Sequence, residues 1–368
     1  MKTTAVICEL NPIHPGHAMV LELAKKENDV VIAVMSGNFT QRGIPAVYDK
    51  YVRAEAAVRC GADLAVELPF PWCSSGTEFF AMGGAAEASG MGAFSLTFGS
   101  ETGSLALPEK LAEVKSSPDY AETVRNAEKA SRERGSAVIF DELLRTYGIT
   151  GEIGPNDKLG GEYIRYGRGF GIDSYCAVAR MKEAPSASAV REVLYRDGLE
   201  ACADMTVGEA YPVFEKARLC RESELYRLFF QHARLYIRSD EESDILRYAA
   251  KTASAARDPE EFIANLATRK YTLSRMRREL LFSMLGVTAD DYRAIPEFTV
   301  LLAANKTGRE YLGAGKFAIP IITKPSDQSA LSETAKVQYA ASRRADELYA
   351  LLTGLTADAF IKKHPVIL

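Results

Sequence analysis

The stretch TTAVICELNPIHPGHAMVLELAKKE, residues 3–27, decides the fold because it predicts a strand, a turn and a helix in succession. Its first part, TTAVIC, is apolar and partly β-branched, which is typical of a strand buried on both faces. In its last part, apolar residues recur at helical spacing with charges opposite: Met19, Val20, Leu23 and Ala24. The turn between these parts, ELNPIHPGH, contains two of the chain's four histidines, two prolines and a glycine.

The same alternation continues through the first half of the chain. The runs DVVIAVMSG, DLAVELPF, AFSLTFGS and SYCAVARM predict four more buried strands, with helical patterns between them. Apolar strands joined through helices indicate an α/β fold with a Rossmann-like parallel sheet covered on both faces. Such sheets bind ligands at the carboxyl ends of their strands. The ELNPIHPGH turn and the polar loops SGNFTQRG, PFPW and GSE should therefore share one edge.

Helical patterns dominate the rest of the chain. Three of them predict a helical insertion at about residues 107–150, before the strand SYCAVARM. Beyond about residue 205 no parallel-strand pattern recurs, and several amphipathic runs predict helices. We therefore expect an α/β domain over residues 1–204 and a mainly helical domain over residues 205–368.

The composition is that of a globular protein with a sizeable core. Of the 368 residues, 47% are hydrophobic and 26% are charged, and 45 Lys and Arg against 49 Asp and Glu give a net charge of -4. That balance neither requires nor excludes a nucleic-acid partner. The six cysteines are scattered without metal-finger spacing, and the chain has no signal-peptide pattern and no run of about 20 apolar residues. These features predict a cytoplasmic protein without a membrane partner.

The ELNPIHPGH turn has the residues of an anion site. A helix N-terminus presents unpaired N–H groups, and its dipole favours negative charge. Pro15 suits the first helical position, and Gly16 permits close approach of a phosphate. His14 and His17 add donors that would stabilise charge when the α-phosphorus of a triphosphate is attacked, so we expect both to be catalytic. Surface histidines are the alternative. A zinc site would need a third ligand at a familiar spacing, so no metal site is predicted.

A second candidate phosphate element is PSASAVR, residues 185–191. Ser186 or Ser188 can cap the helix that follows, and Arg191 adds a fork of donors. By itself this run is an ordinary start of a capped helix. Together with the ELNPIHPGH turn, it resembles the second phosphate-binding element of the HIGH-type nucleotidylyltransferases.

The motifs, taken in order, resemble the bacterial tRNA(Met) cytidine acetate ligases. They are ELNPIHPGH, AVMSGNFTQRGIPAVYDKYVRAEAAV, DLAVELPFPW, FGSE, PNDKLGGEYI, SASAVR and KYTLSRMRRELL, and they span nearly the whole chain. The resemblance implies the fold of the HIGH nucleotidyltransferases. It also implies a ligase that forms acetyl-adenylate and pyrophosphate from acetate and ATP, then acetylates the wobble cytidine of elongator tRNA(Met) to N4-acetylcytidine. ATP would be a substrate accompanied by Mg²⁺, and acetyl-CoA would take no part.

The resemblance places an ATP pocket at the carboxyl ends of the strands, within the catalytic domain of residues 1–204. Its expected members are Ile7, Cys8, Glu9, Leu10, Asn11, Pro12, Ile13, His14, Pro15, Gly16, His17, Ala18, Met19, Val20, Gly99, Asn156, Ser186, Ser188 and Arg191. Gly99 would allow close approach of adenine or ribose, or would simply end a strand. Asn156 would hydrogen-bond the nucleotide, or would cap a helix. Arg191 would contact phosphate oxygens.

The residues expected to contact tRNA are basic: Arg42, Lys50, Lys270, Arg275, Arg277 and Arg278. The last four belong to RKYTLSRMRR, residues 269–278, which has five basic residues and no acid. On a helix from about Thr272, Arg275 and Arg278 would share a phosphate-binding face, and Tyr271 could stack on a base. A solvated helix paired with the acidic DPEEF run is the alternative. Arg42 and Lys50 lie in a long loop and would face the tRNA, the pyrophosphate or solvent.

Two other functions fit the same residues. Another nucleotidylyltransferase, which adenylylates a small phosphorylated acceptor, would share both phosphate elements but would need no basic helix. A non-catalytic tRNA-binding protein would keep the basic helix beside a vestigial nucleotide site.

Overall fold

A sheet of mostly parallel strands lies at the centre of the protein in a computed structural model, which describes residues 1–130, 136–150, 153–181, 183–238 and 241–368. The strands are β1 (Thr3–Cys8), β2 (Val30–Ser36), β3 (Leu64–Leu68), β4 (Ser95–Ser100), β5 (Ser174–Ala179), β6 (Thr299–Ala304), β7 (Ile321–Ile322) and β8 (Val366–Ile367). Their order across the sheet is β5-β4-β1-β2-β3-β6-β7, and β8 also pairs with β6.

Strands β1 to β5 are parallel to their neighbours among these five, which confirms the predicted α/β fold with a Rossmann-like sheet. Every residue of β2 and β3 is buried, as expected for strands covered on both faces. β2 and β3 extend to one side of β1, whereas β4 and β5 extend to the other. The order therefore reverses at β1. The turn after β1 opens into the crevice where such sheets bind ligands.

The sequence showed no parallel-strand pattern beyond about residue 205, and the sheet gains a strand there that the sequence analysis did not predict. β6 lies antiparallel to β3 and is buried at every position. A short apolar run of this kind cannot be told from a buried helical segment by its periodicity, and no strand–helix alternation surrounds it. Part of residues 205–368 thus belongs to the central sheet. The division near residue 204 stays a prediction.

Helices pack on the sheet and account for most of the residues outside the strands. They are α1 (Pro15–Glu27), α2 (Lys50–Arg59), α3 (Thr77–Gly90), α4 (Ala106–Ser116), α5 (Pro118–Ala130), α6 (Ser136–Thr146), α7 (Pro155–Gly169), α8 (Ala187–Asp197), α9 (Tyr211–Phe214), α10 (Glu222–Leu235), α11 (Asp244–Ala255), α12 (Pro259–Leu266), α13 (Leu273–Leu285), α14 (Ala289–Arg293), α15 (Lys306–Ala314) and α16 (Glu333–Leu352). Helices α4 to α6 occupy the stretch expected to be an insertion, and several of their apolar residues form a small cluster separate from the main core. None of the described helices combines the length and the apolar character needed to cross a bilayer.

A fully buried arginine holds the ends of β1 and β2 together. Arg53, on α2, donates from Nη1 to the Glu9 carbonyl at 2.6 Å and from Nη2 to the carbonyls of Ser36, at 3.1 Å, and Gly37. Its Nε donates to the Tyr48 carbonyl at 2.9 Å. A buried guanidinium is tolerated only when its N–H groups are satisfied, so these carbonyls fix the path of the chain after each strand.

A buried ion triad attaches the last long helix to the same region. Lys50 Nζ lies 2.7 Å from Glu67 Oε2 on β3 and 2.7 Å from Asp346 Oδ2 on α16. Asn38 Nδ2 donates to the other oxygen of Asp346 at 2.8 Å, and Asn38 Oδ1 accepts from the Lys50 N–H. Helix α16 thereby braces the loop between β2 and α2.

We expect Arg53→Met to lower the free energy of unfolding by at least about 3 kcal/mol, because each buried carbonyl left without its donor costs about 1–3 kcal/mol. Urea unfolding followed by circular dichroism measures this. Arg59→Met is the matched control on the same helix, since Arg59 is exposed and forms an i,i+4 pair with Glu55. That variant should change by less than about 1 kcal/mol. Equal losses in the two variants would contradict the role given to Arg53.

Candidate active site

A cavity of about 500 Å³ lies at the carboxyl ends of β1, β4 and β5. Most of the expected ATP-pocket residues line it: Ile7, Cys8, Glu9, Leu10, Asn11, His14, Gly16, His17, Met19, Val20, Gly99, Asn156, Ser186, Ser188 and Arg191. Pro12, Ile13, Pro15 and Ala18 are not among its lining residues. Ile13 and Ala18 are buried in the apolar core, where they position the turn and the helix behind the cavity.

The N-termini of three helices meet at this cavity. Its lining includes Gly16 at the start of α1, Pro155 at the start of α7 and Ala187 at the start of α8. The positive ends of the helix dipoles favour an anion there, although the N–H groups that begin α1 and α7 already bond to His14 and to the Glu101 carboxylate. The cations Arg42, Lys158, Arg180 and Arg191 also line the cavity. A ligand with several negative charges fits this arrangement.

The two histidines of the turn stack on each other, with ring centroids 3.8 Å apart. His14 is the N-cap of α1, and its Nδ1 accepts a hydrogen bond from the Gly16 N–H at 3.2 Å. The proton of the neutral His14 ring is therefore on Nε2, as a donor. Burial lowers the pKa of His14 to about 4, and Arg180 acts in the same direction. Burial lowers the pKa of His17 to about 3, with His14 reinforcing the shift and the backbone of Pro12 opposing it. Both rings are neutral at pH 7.

Gly16 has a more local role than the sequence suggested. A Cβ at this position would lie 3.1 Å from Cε1 and 3.2 Å from Nδ1 of His14. The absent side chain therefore leaves room for the His14 ring to fold over the helix start. Pro15 is the first residue of α1, where its missing N–H is not needed.

The PSASAVR run forms the opposite wall of the cavity. Ser186 caps α8 by accepting the Ala189 N–H at 3.2 Å. Arg191 donates to the Asn11 carbonyl at 2.7 Å and lies 3.7 Å from Glu222, so it ties α8 to the turn after β1. The Ser188 hydroxyl lies 3.3 Å from Arg191 Nη2. The two candidate phosphate elements are thus joined directly.

Asn156 and Gly99 lie where α7 and β4 reach the cavity. The N-cap of α7 is Gly154, and Asn156 is instead held by Glu101, whose Oε1 accepts both its backbone N–H and its side-chain amide. The alternative that Asn156 is the cap is therefore wrong. A Cβ on Gly99 would meet only Val20, at 4.0 Å, so this backbone is open for close approach of a ligand.

Arg42 belongs to the cavity as well. It lies in the loop between β2 and α2, and its Nη1 is 3.4 Å from the Ser188 hydroxyl. Its neighbour Gln41, in the loop expected to be functional, lines the cavity too, as do Thr40, Lys158 and Arg180, which sequence reasoning missed. The loop's length and its Gln-Arg-Gly tip were the available signal. Arg180 stands at the carboxyl end of the predicted strand SYCAVARM, which was its signal, whereas only the fold brings Lys158 to the site.

The basic helix α13 packs against this loop. Gly43 has φ +67 and lies so close to α13 that a Cβ would be 2.7 Å from the Arg278 backbone nitrogen. Arg278 donates from Nη1 to the Gln41 carbonyl at 3.1 Å. Arg277 hydrogen-bonds the Tyr226 hydroxyl, and its guanidinium carbon lies 5.0 Å from the centre of that ring.

The predicted tRNA contacts therefore divide into two groups. Lys50 is 3% exposed and paired with two carboxylates, so its predicted contact with tRNA is wrong. Arg277 and Arg278 are engaged in packing. Lys270 and Arg275 flank the Tyr271 ring, at 4.9 and 5.5 Å from its centre. The alternative was that the basic helix pairs with the acidic DPEEF run. Glu261 of that run instead pairs with Arg257 at 3.0 Å, so it does not support this alternative.

Known proteins match this chain over its whole length. A sequence model described as HIGH Nucleotidyl Transferase matches residues 1–361. The tRNA(Met) cytidine acetate ligase of Limosilactobacillus reuteri is 32% identical over 398 residues, with 100% of both chains covered. That of Lactobacillus helveticus is 30% identical over 386 residues, with 96% of this chain and 97% of its own covered. The chain belongs to the tRNA(Met) cytidine acetate ligase family.

Solved structures agree with this family at the level of the fold. Thermotoga maritima TmcAL bound with alpha-thio ATP superimposes with a TM-score of 0.89 at 24% identity, covering 100% of both chains. The apo form of that protein gives a TM-score of 0.85. The family and the fold that the sequence motifs predicted are both confirmed.

The described residues offer no group of three His, Cys, Asp or Glu side chains placed to hold a metal ion. Magnesium binds few protein carboxylates when it also binds nucleotide phosphates.

We expect Gly16→Ala to weaken ATP binding about 10-fold, the cost of about one displaced hydrogen-bond donor, because the new Cβ pushes the His14 ring aside. Isothermal titration calorimetry measures the affinity. Gly169→Ala is the matched control, since a Cβ at the far end of α7 meets nothing within 4 Å. Unchanged ATP affinity in Gly16→Ala would show that the position of His14 does not matter for binding.

Proposed function

We propose that this protein is an ATP-dependent acetate ligase that forms acetyl-adenylate from acetate and ATP and then acetylates the wobble cytidine of elongator tRNA(Met). The observation that carries the proposal is the meeting of three helix N-termini and two neutral histidines at one cavity, beside a basic helix. The relatives in the family bear the name of this activity.

The first step uses the anion site. An acetate oxygen attacks the α-phosphorus of ATP, a P–O bond to the β-phosphate breaks, and pyrophosphate leaves. Charge builds up on the non-bridging oxygens and on the leaving group, where fixed donors act most strongly. The low pKa values of His14 and His17 leave both rings uncharged at pH 7, and His14 can donate from Nε2. Arg42 and Arg191, which meet at Ser188, add positive charge at the same wall.

The remaining details of the proposal concern cofactors and location. ATP arrives with Mg²⁺ on its phosphates. Acetyl-CoA has no part, since the adenylate itself activates the acetyl group. ATP and tRNA are cytoplasmic, so we place the reaction in the cytoplasm.

The tRNA would lie across the start of α13. Tyr271 offers a ring between the cations Lys270 and Arg275, a combination that suits a base stacked over a phosphate backbone. Because α13 contacts the loop of Gln41 and Gly43, an RNA on this helix would lie close to the mouth of the cavity.

Incubation with ¹⁴C-acetate, ATP and tRNA(Met) tests the proposal directly. We expect label in the tRNA as N4-acetylcytidine, with AMP and pyrophosphate released. Transfer of AMP to a small phosphorylated acceptor without tRNA labelling would favour the other nucleotidylyltransferase function. Salt-dependent tRNA binding without any ATP binding would favour a non-catalytic protein.

We expect the double variant Lys270→Ala/Arg275→Ala to weaken tRNA binding and to reduce the slope of log affinity against log salt by about one to two, because two phosphate contacts are lost. Acetate-dependent ATP–pyrophosphate exchange without tRNA should stay unchanged. Arg257→Ala, which removes an exposed cation paired with Glu261, is the control. A slope equal to that of the unchanged protein would assign these side chains to a solvated face.

A further inference from the structure

One side chain of the cavity does not fit an anion site. Glu9 follows β1, and it is the only Asp or Glu among the described residues that line the cavity. A carboxylate beside a triphosphate and an acetate ion repels both substrates. Its presence calls for a role that the adenylation step does not supply.

A hydrogen bond fixes the orientation of the Glu9 carboxyl group. Its Oε1 accepts the Gln41 N–H at 2.6 Å, whereas its Oε2 makes no hydrogen bond or ion pair with another described residue. Burial raises the pKa of this carboxyl, against the opposing effects of the Gln41 N–H, Arg42, Arg191 and Arg53. A half-buried carboxylate with one oxygen held and the other open is suited to accept a proton.

Glu9 also lies on the side of the cavity from which RNA bound to α13 would enter. The Gln41 N–H donates a hydrogen bond to Glu9 Oε1, and the Gln41 carbonyl accepts a hydrogen bond from Arg278 on α13. Gln41 therefore links Glu9 to the basic helix through its two backbone hydrogen bonds. A base that reached the cavity over α13 would meet the Gln41 loop and Glu9 first.

The second step of the proposed reaction needs such a group. The lone pair of the cytidine exocyclic amine attacks the carbonyl carbon of acetyl-adenylate. A C–N bond forms, the C–O bond to AMP breaks, and AMP leaves with the electron pair as a stable phosphate. The amine must lose a proton, because its lone pair is delocalised into the ring and makes it a weak nucleophile. The two histidines are poor acceptors, since their pKa values lie near 4 and 3.

Resting on the function proposed above, we propose that Glu9 is the general base of acetyl transfer, with Oε2 accepting the proton that the cytidine amine loses. The protonated carboxyl then returns its proton to solvent after the acetylated tRNA leaves. Gln41 is a positioning residue that aims Glu9. The same carboxylate has no part in breaking the triphosphate.

The substitution Glu9→Gln separates this role from that of a mere anchor. A glutamine keeps an amide oxygen that can accept the Gln41 N–H, so it preserves the anchor, but it cannot take a proton. The test uses single-turnover transfer from acetyl-adenylate formed on the enzyme, followed as label entering tRNA(Met). We expect the transfer rate to fall about 100-fold or more, and to fall much further than the rate of acetate-dependent ATP–pyrophosphate exchange or the affinity for tRNA. Glu333→Gln, which changes an exposed carboxylate on α16, is the control.

Two results would overturn the proposal. Normal transfer by Glu9→Gln would mean that the AMP phosphate or water takes the proton. Equal losses in exchange and in transfer would assign Glu9 to nucleotide binding or to the loop structure, and Glu9→Ala, which also removes the anchor, would then match Glu9→Gln. If the unchanged protein forms no labelled tRNA, it is the proposed function that fails.

Discussion

The site depends on one buried guanidinium. Arg53 donates to the carbonyls that end β1 and β2, at Glu9, Ser36 and Gly37, and no carboxylate in the described part of the chain lies at hydrogen-bonding distance from it. A charge buried in this way is stable only while every carbonyl stays in place, so the two chain segments cannot move independently. One of them carries the paired histidines, and the other carries the loop with Gln41 and Arg42. The cavity lies between the two.

The electrostatics of the cavity come largely from the backbone. Three helix N-termini supply dipoles that no change of pH removes, and burial keeps the paired histidines neutral. Neutral rings donate hydrogen bonds without tying up a counter-ion before the substrate arrives. The arginines are partly occupied by protein oxygens, such as the Asn11 carbonyl on Arg191. The site is thereby arranged in advance for phosphate, which is what electrostatic stabilisation of a transition state requires.

The second half of the chain supports the first instead of standing apart from it. β6 extends the central sheet beside β3, and Asp346 of α16 completes the buried triad with Lys50 and Glu67. Helix α13 touches the loop at Gly43, where any side chain would collide with its backbone. The contact between α13 and the loop after β2 gives a physical route by which the proposed RNA site and the nucleotide site can influence each other.

The sequence by itself determined the five parallel strands, the helix that starts at Pro15 and the helix start in PSASAVR, because these are local patterns of apolar spacing, proline and caps. The family followed from the order of its motifs. Only the tertiary structure decided that β6 joins the sheet, that Lys50 is buried against two carboxylates and that Arg42 faces the cavity. Each of these depends on residues far apart in the chain, 296 positions in the case of Lys50 and Asp346, and no local pattern encodes such a contact.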